Sequence, residues 1–101
     1  MNKYKAIKTV VDNITFDSKR EAARYGELKL LFRAGQIRNL EIQPEFRVEM
    51  NGVKVFKYRA DFAYFEGQDR IFEDVKGVRT PVYKLKKRII EALYSIQIRE
   101  T

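Results

Sequence analysis

The chain has 101 residues, of which 45% are hydrophobic, and this predicts one compact domain with a modest core. It contains no cysteine and no histidine, which excludes disulfides, thiolate or imidazole metal sites and histidine-based catalysis, and leaves carboxylates, lysines, hydroxyls or a hard metal ion held by oxygen ligands. The net charge of +7 favours nucleic acid or another polyanion as the partner, although an ordinary basic surface would give the same balance.

The first predicted elements are a short hairpin and a long helix. The hairpin lies within residues 8–18 and turns at Asp12-Asn13, a pair that tolerates turn geometry. The helix runs from about residue 18 to about residue 34, because Asp17 or Ser18 can cap its start and Gly35 can end it. Its apolar residues recur at helical spacing and are expected to face the core: Ala22, Tyr25, Leu28 and Leu31 with Phe32.

A connector and a meander of three strands are predicted to follow. The first strand precedes Asn51-Gly52, a strong hairpin signal because a type I′ turn needs positive φ at both central positions. The second strand spans about residues 53–65, the segment 66–69 turns the chain, and the third strand spans about residues 70–76.

A second helix and a final strand complete the predicted domain. Thr80 is expected to cap the helix, with Pro81 at its first position. The expected buried stripe of this helix is Val82, Leu85, Ile89 and Leu93. The alternating residues 95–100 indicate one more strand, so the pattern predicts a single α+β domain over residues 1–101, with a mixed sheet flanked by helices and an N-terminal hairpin.

Three charged residues at the end of the third strand need an explanation, because buried charges are costly unless they are paired. Strand geometry puts Asp74 and Lys76 on one face and Glu73 on the other, where we expect it to be a bystander. Counting outward from the 66–69 turn places Asp61 opposite Asp74, and two facing carboxylates repel. A positive charge is therefore expected between them, either Lys76 or a divalent ion such as Mg²⁺.

These residues resemble the motif of the PD-(D/E)XK nuclease superfamily, which includes restriction-type endonucleases and phage Holliday-junction resolvases. The stretch "RADF" supplies Asp61, with Ala60 where the motif's proline usually stands, and "EDVKG" supplies Asp74 and Lys76. The stretch "FDSKRE" is similar to the Phe-x-Ser-x-x-Glu opening of the first helix in one phage junction-resolving type, and it supplies Glu21. The whole chain also looks like a small phage-encoded family of uncharacterised proteins placed in this superfamily.

The resemblance implies a restriction-endonuclease-like core in the order α-β-β-β-α-β. It implies a Mg²⁺-dependent endodeoxyribonuclease that hydrolyses DNA phosphodiester bonds in phage DNA recombination or processing, with branched or Holliday-junction DNA as a candidate substrate and a homodimer as a candidate assembly. The implied catalytic residues are Glu21, Asp61, Asp74 and Lys76. The implied ligands of Mg²⁺, for which Mn²⁺ can substitute, are Glu21, Asp61, Asp74 and the carbonyl of Val75.

The basic run between Lys76 and Arg88 predicts the DNA-binding surface, because it contains six basic residues and no acidic one. Lysine and arginine contacts to the phosphate backbone bind strongly but without sequence preference. The expected DNA-binding residues are Arg79, Lys84, Lys86, Lys87 and Arg88, with Gln43 as a further candidate from a loop.

Simpler explanations stay open for the same residues. Asp74 and Lys76 would form an ordinary ion pair, while Arg59 or Arg79 would neutralise Asp61. The pattern Ser18-x-x-Glu21 is also a capping box, and Glu27 would replace Glu21 at the site if the helix were rotated.

Two other functional classes fit the sequence, namely a non-catalytic DNA-binding accessory module for recombination with the same fold, and an RNA-binding module. The sequence contains no signal-peptide-like segment and no membrane span, so no membrane partner is expected. We therefore expect an intracellular protein, located in the host cytoplasm if it is phage-encoded.

Overall fold

A computed structural model describes residues 7–101, which form two helices and eight strands. The N-terminal residues 1–6 of the predicted domain lie outside the described residues. The elements in chain order are β1 (Thr9–Val11), β2 (Ile14–Phe16), α1 (Lys19–Arg33), β3 (Arg38–Ile42), β4 (Glu45–Met50), β5 (Val53–Arg59), β6 (Phe62–Glu66), β7 (Asp69–Asp74), α2 (Pro81–Tyr94) and β8 (Ile98–Glu100). No helix in this part of the chain has both the length and the apolar character needed to cross a membrane.

The central sheet has four strands in the order β3-β6-β7-β8. Its first three strands pair antiparallel, and β8 runs parallel to β7, so the sheet is mixed. The pairs β1-β2 and β4-β5 form separate two-stranded hairpins. The α+β class, the mixed sheet and the N-terminal hairpin are therefore confirmed.

The two helices cover opposite faces of the central sheet. One buried cluster contains Leu28 of α1 and has Ile71 of β7 packed against it. The other contains Ile90 of α2 and has Phe72 packed against it. Because successive side chains of a strand point to opposite faces, these two clusters lie on the two sides of β7.

The predicted turns are confirmed by backbone geometry. Asp12 and Asn13 have φ of 53° and 62°, and Asn51 and Gly52 have φ of 50° and 77°. Positive φ at both central residues is the requirement of a type I′ turn, whose twist matches that of the strands. Between β6 and β7, Gly67 has φ of 62° in a two-residue connection that fixes the register of this strand pair.

The prediction of one long strand over residues 53–65 is wrong. The chain changes partners at Ala60, whose N–H donates to the carbonyl of Pro44, whereas the N–H of Asp61 donates to the carbonyl of Glu73. The segment therefore splits into β5, which pairs with β4, and β6, which enters the central sheet.

The predicted connector before the meander contains a strand, β3, which pairs with β6. Its register is irregular between Arg38 and Glu41, and Asn39 has φ of 54°. Because of this irregularity, the segment does not show the long alternation of apolar and polar residues by which a strand is recognised in a sequence. Within the central sheet and its helices the order is α1, β3, β6, β7, α2 and β8, with the hairpin β4-β5 inserted.

The first helix lies where the sequence places it, and its predicted stripe is largely buried. Ala22, Tyr25 and Leu28 are buried and Leu31 packs against them, but Phe32 is half-exposed. Ser18 caps this helix, because its hydroxyl oxygen accepts a hydrogen bond from the N–H of Glu21 at 3.1 Å.

The predicted buried stripe of α2 is wrong at three of its four positions, and only Ile89 packs against the core. Val82 and Leu85 are each 61% exposed and Leu93 is 58% exposed, while Ile90 is fully buried. The inward face instead carries Tyr83 beside Ile89 and Ile90, and the hydroxyl of Tyr83 donates to Glu100 at 2.8 Å. Thr80 caps the helix and Pro81 opens it, as predicted.

Replacing Ile90 by alanine is expected to lower the free energy of unfolding by about 2–5 kcal/mol, because it leaves a cavity in a packed core. Leu85→Ala, on the exposed side of the same helix, is expected to change it by less than about 0.5 kcal/mol. Urea unfolding followed by circular dichroism measures both values. A larger loss at Leu85 than at Ile90 would contradict the observed rotation of α2.

Candidate active site at the junction of β6 and β7

Asp61 and Asp74 lie side by side where β6 begins and β7 ends. The register pairs Phe62 with Glu73, and its continuation sets Asp61 opposite Asp74, as counted from the sequence. The N–H of Asp61 donates to Oδ1 of Asp74 at 3.1 Å, and the N–H of Val75 donates to Oδ2 of Asp61 at 2.7 Å. Each carboxylate thus accepts a hydrogen bond from the backbone of the chain segment that carries the other or directly follows it.

Both carboxyl groups are buried: Asp61 is 7% exposed and Asp74 is 0% exposed. Burial raises the pKa of Asp61 and of Asp74 above the ordinary value, while the charge of Lys76 works in the opposite direction at both. The hydroxyl of Tyr58 donates to Oδ2 of Asp74. The junction therefore holds two carboxyl groups whose ionised forms are disfavoured by their surroundings.

Glu21 approaches this pair from the first turn of α1. It is buried, and its pKa is raised to about 7, first by burial and then by the charges of Asp61 and Asp17. Glu27 instead lies on the outer surface, where its carboxylate is 3.7 Å from Nη1 of Arg24. The helix therefore presents Glu21, not Glu27, to Asp61. The backbone N–H of Glu21 takes part in the helix cap with Ser18, while its side chain lies near the buried carboxylate.

Lys76 follows β7, close enough for its charge to act on these acids, although it forms no ion pair with an acid of residues 7–101. Its positive charge acts to lower the pKa of Glu21, Asp61 and Asp74, but burial outweighs this effect and all three pKa values stay raised. The backbone N–H of Lys76 donates to the carbonyl of Thr101 at 3.2 Å, which anchors the segment beyond the strand end.

Two tyrosines that the sequence analysis did not single out support the site. The ammonium of Lys76 lies 4.7 Å from the ring centroid of Tyr83, within range of a cation–π contact. The ring of Tyr83 stacks on that of Tyr58, with centroids 6.4 Å apart, and Tyr58 is the residue bonded to Asp74. Their position is set by the packing of α2 on β5, which no local sequence pattern signals.

Glu73 lies on the face of β7 opposite to Asp74, as predicted, but it has a structural role that the sequence did not indicate. It is fully buried on the α1 side of the sheet, where Arg24 donates two hydrogen bonds to it. Burial acts to raise its pKa, but the hydrogen bonds from Arg24 and Tyr64 outweigh burial and hold the pKa below its ordinary value. The alternation of side chains along a strand predicted the face on which Glu73 lies, but no sequence pattern predicted its partner Arg24 on α1.

The predicted DNA-binding residues divide into two groups. Arg79 and Lys87 form ion pairs with Glu100, at 3.0 Å and 3.5 Å, and Lys86 lies 5.3 Å from the ring centroid of Phe56. Lys84 and Arg88 are exposed and form no ion pair within residues 7–101. These last two side chains are thus available to an external anion.

Gln43 has a structural role next to the site. Its N–H donates to the carbonyl of Asp61 at 2.9 Å, and its side-chain amide donates to the carbonyl of Thr15 at 3.2 Å. It therefore braces the backbone of Asp61 against the N-terminal hairpin.

An open cleft lies beside the junction, and of the four acidic and basic side chains proposed for the site it is lined by Glu21 alone. It is lined by Ser18 and Glu21 at the start of α1, by Val75 and Gly77 after β7, and by Thr80 at the start of α2. A molecule in this cleft would meet the carboxylate of Glu21 between the amino ends of both helices.

The donor set fits a hard divalent cation by its chemistry. Within the described part of the chain, no three acidic side chains converge as a ready ligand group. Mg²⁺, however, is usually held by one or two carboxylates and completes its shell with water. A cation beside Asp61 and Asp74 would stabilise the ionised forms that burial disfavours. Asp61 and Asp74 could therefore hold such an ion, and Glu21 is a further carboxylate on the Asp61 side of the junction.

The raised pKa of Glu21 predicts a pH-dependent stability difference. Between its ordinary value of 4.5 and the folded value of about 7, the folded state binds more protons than the unfolded state, so this group's contribution to stability falls as pH rises. In EDTA, Glu21→Gln is expected to be more stable than the wild type by about 1–2 kcal/mol at pH 8, and the difference should vanish near pH 4.

Urea unfolding at several pH values measures this difference, with Glu27→Gln as the exposed control on the same helix. A Glu21→Gln variant that is no more stable than the wild type at pH 8 would show that burial and the neighbouring charges do not disfavour the ionised form of Glu21.

The chain was compared with protein families, curated proteins and solved structures. It matches the family model described as "Protein of unknown function (DUF1064)" over residues 1–101. No curated protein matches the chain, and no solved structure does. Because the family model covers the whole chain, the protein belongs to the DUF1064 family.

Proposed function

We propose that the protein is a Mg²⁺-dependent endodeoxyribonuclease of the PD-(D/E)XK type, which hydrolyses DNA phosphodiester bonds. The observation that supports this most directly is the junction of Asp61 and Asp74, two adjacent buried carboxyl groups with raised pKa values that share Lys76 as a neighbour. Acids with perturbed pKa values beside a lysine are typical of catalytic sites, and Glu21, the third acid of the proposal, lines the neighbouring cleft.

The order of elements gives further support. The central sheet and its helices follow α-β-β-β-α-β, the order implied by the superfamily resemblance. Asp61 stands at the start of the second of the three strands, Asp74 at the end of the third, and Glu21 in the first helix. The superfamily motif likewise has one acidic residue on a strand, an Asp/Glu-x-Lys on the next strand and a further acidic residue in the first helix, and this supports the proposal.

In this proposal the acidic side chains hold the metal ion, and Lys76 orients the water or offsets charge on the phosphate. Asp61, Asp74 and Glu21 would hold Mg²⁺, which when bound lowers the pKa of a water molecule and offsets charge on the phosphate oxygens. Lys76 would orient the attacking water or stabilise the negative charge that develops on the phosphate in the transition state. The ring of Tyr83 and the carbonyl of Thr101 keep Lys76 in place for this task.

The proposed DNA-binding surface contains fewer residues than the basic run predicted. Arg79 and Lys87 already neutralise Glu100, so Lys84 and Arg88 are the proposed phosphate contacts. They extend from the helix whose first residues border the cleft. Branched DNA, including a four-way junction, is the proposed substrate, and a homodimer would place two such sites on two strands. If the protein is phage-encoded, it would act in the host cytoplasm.

One observation favours the alternative of a non-catalytic DNA-binding module. Both oxygens of Asp74 and one oxygen of Asp61 accept hydrogen bonds from the protein itself, as in a purely structural junction. Each carboxylate oxygen can accept a second bond, so this does not block a metal. A cleavage assay separates the two functions.

Asp74→Asn and Lys76→Met are each expected to reduce DNA cleavage at least about 100-fold, because Asp74→Asn weakens the hold on Mg²⁺ and Lys76→Met removes positive charge that would stabilise the transition state. DNA binding and folding should persist, since asparagine can still accept the hydrogen bond from the N–H of Asp61. The assay uses plasmid, linear, single-stranded and four-way-junction DNA with Mg²⁺, Mn²⁺ or EDTA.

Glu49→Gln, an exposed change on β4, is the control and should cleave like the wild type. Cleavage that continues in EDTA, or full activity in either site variant, would refute the proposed mechanism.

The double variant Lys84→Gln with Arg88→Gln should bind DNA more weakly, because two phosphate contacts are lost. The slope of log affinity against log salt concentration should fall by about two, at roughly 0.9 per phosphate. Fluorescence anisotropy at several salt concentrations measures this slope. The matched control is Lys54→Gln with Lys57→Gln on β5, which removes the same charge from the exposed hairpin. Equal weakening by both pairs would show that only net charge matters.

A further inference from the structure

Glu73 joins four parts of the fold at one buried point. Arg24 donates to it from Nε at 2.6 Å and from Nη2 at 3.0 Å, forming a two-pronged pair. The hydroxyls of Tyr64 and Thr101 donate to the same carboxylate at 2.6 Å and 3.0 Å. An arginine–carboxylate pair of this kind fixes orientation as well as distance. It thus links α1 to β6, to β7 and to the residue after β8.

The two members of this pair are neighbours of the proposed site residues. Arg24 follows Glu21 by three positions on α1, so their side chains leave the same side of the helix about one turn apart. Glu73 directly precedes Asp74 on β7. The ion pair therefore connects the turn of helix that carries Glu21 to the end of the strand that carries Asp74.

The apolar contacts of α1 do not provide the same restraint. Ala22, Tyr25 and Leu28 pack in one cluster with Tyr64 and Val75. Hydrophobic contact is non-directional, so it sets how closely the helix approaches the sheet. The two bonds from Arg24 to Glu73 are directional, so they also restrain the position of the helix along β7 and its rotation about its axis.

We propose that Arg24 and Glu73 are positioning residues for the metal site, and that their ion pair keeps Glu21 within reach of a cation held by Asp61 and Asp74. This inference rests on the proposed function. Neither side chain would touch the metal or the DNA. Residues that hold a metal ligand in place typically change metal affinity by about 10–100-fold when they are lost.

Two variants test this role without leaving a buried charge unpaired. Arg24→Lys keeps a positive charge beside Glu73 but removes the two-pronged geometry. Arg24→Met combined with Glu73→Leu replaces the pair by apolar side chains, a change that buried ion pairs often tolerate. Arg70→Lys is the matched control, because Arg70 pairs with Glu41 at the far end of β7.

The main measurement is Mn²⁺ binding to the metal-free protein without DNA, by isothermal titration calorimetry. We expect Kd for Mn²⁺ to rise about tenfold or more in both test variants and to stay unchanged in Arg70→Lys. In a plasmid assay, added Mg²⁺ should restore much of the cleavage rate of Arg24→Lys, because the ligands themselves are intact. It should not restore that of Lys76→Met.

Circular dichroism identifies which variants are folded, and a folded test variant decides the outcome. Wild-type Mn²⁺ affinity in such a variant, even with a lowered melting temperature, would overturn the positioning role and leave a purely structural ion pair. A wild-type protein that binds no Mn²⁺ would refute the proposed function itself. Tight binding by the wild type and by both variants would refute only the role of Arg24 and Glu73.

Discussion

The apposition of Asp61 and Asp74 at the junction of β6 and β7 is the constraint on which the surrounding structure depends. Two carboxylates in such a place repel and lose hydration. The chain compensates with the backbone N–H groups of Asp61 and Val75, with the hydroxyl of Tyr58, and with the charge of Lys76. The chain leaves one hairpin and enters the central sheet just before Asp61, and this sets Asp61 beside the end of β7.

The sheet separates two kinds of buried acid that are adjacent in sequence. Glu73 faces α1 and is saturated by donors, so it stays ionised and holds the fold together. Asp74 faces α2 and belongs to the group of acids whose pKa values are raised. The alternation of a strand thus places a structural carboxylate and a proposed metal ligand one residue apart on opposite faces. The same helix serves both, because Arg24 and Glu21 lie one turn apart.

The sequence was sufficient where local chemistry determines the structure. The turn at Asn51-Gly52, the helix over residues 18–34 and the pairing of Asp61 with Asp74 follow from positive φ, helix caps and a two-residue turn. It was insufficient where a distant partner decides. Tyr83 on the inward face of α2 bonds to Glu100, and Ala60 at the strand break bonds to Pro44. Glu73 pairs with an arginine 49 residues away. None of these partners leaves a periodic signal in the sequence.

The central claim is that the acids at this junction bind a divalent cation for work on a phosphodiester. The most direct test is the anomalous difference map of a crystal soaked in Mn²⁺. The account predicts a peak at roughly 2.0–2.3 Å from carboxylate oxygens of Asp61 and Asp74, with Glu21 turned toward it. A well-ordered crystal with no peak at the junction, in which both aspartates keep only their bonds to the protein, would contradict it.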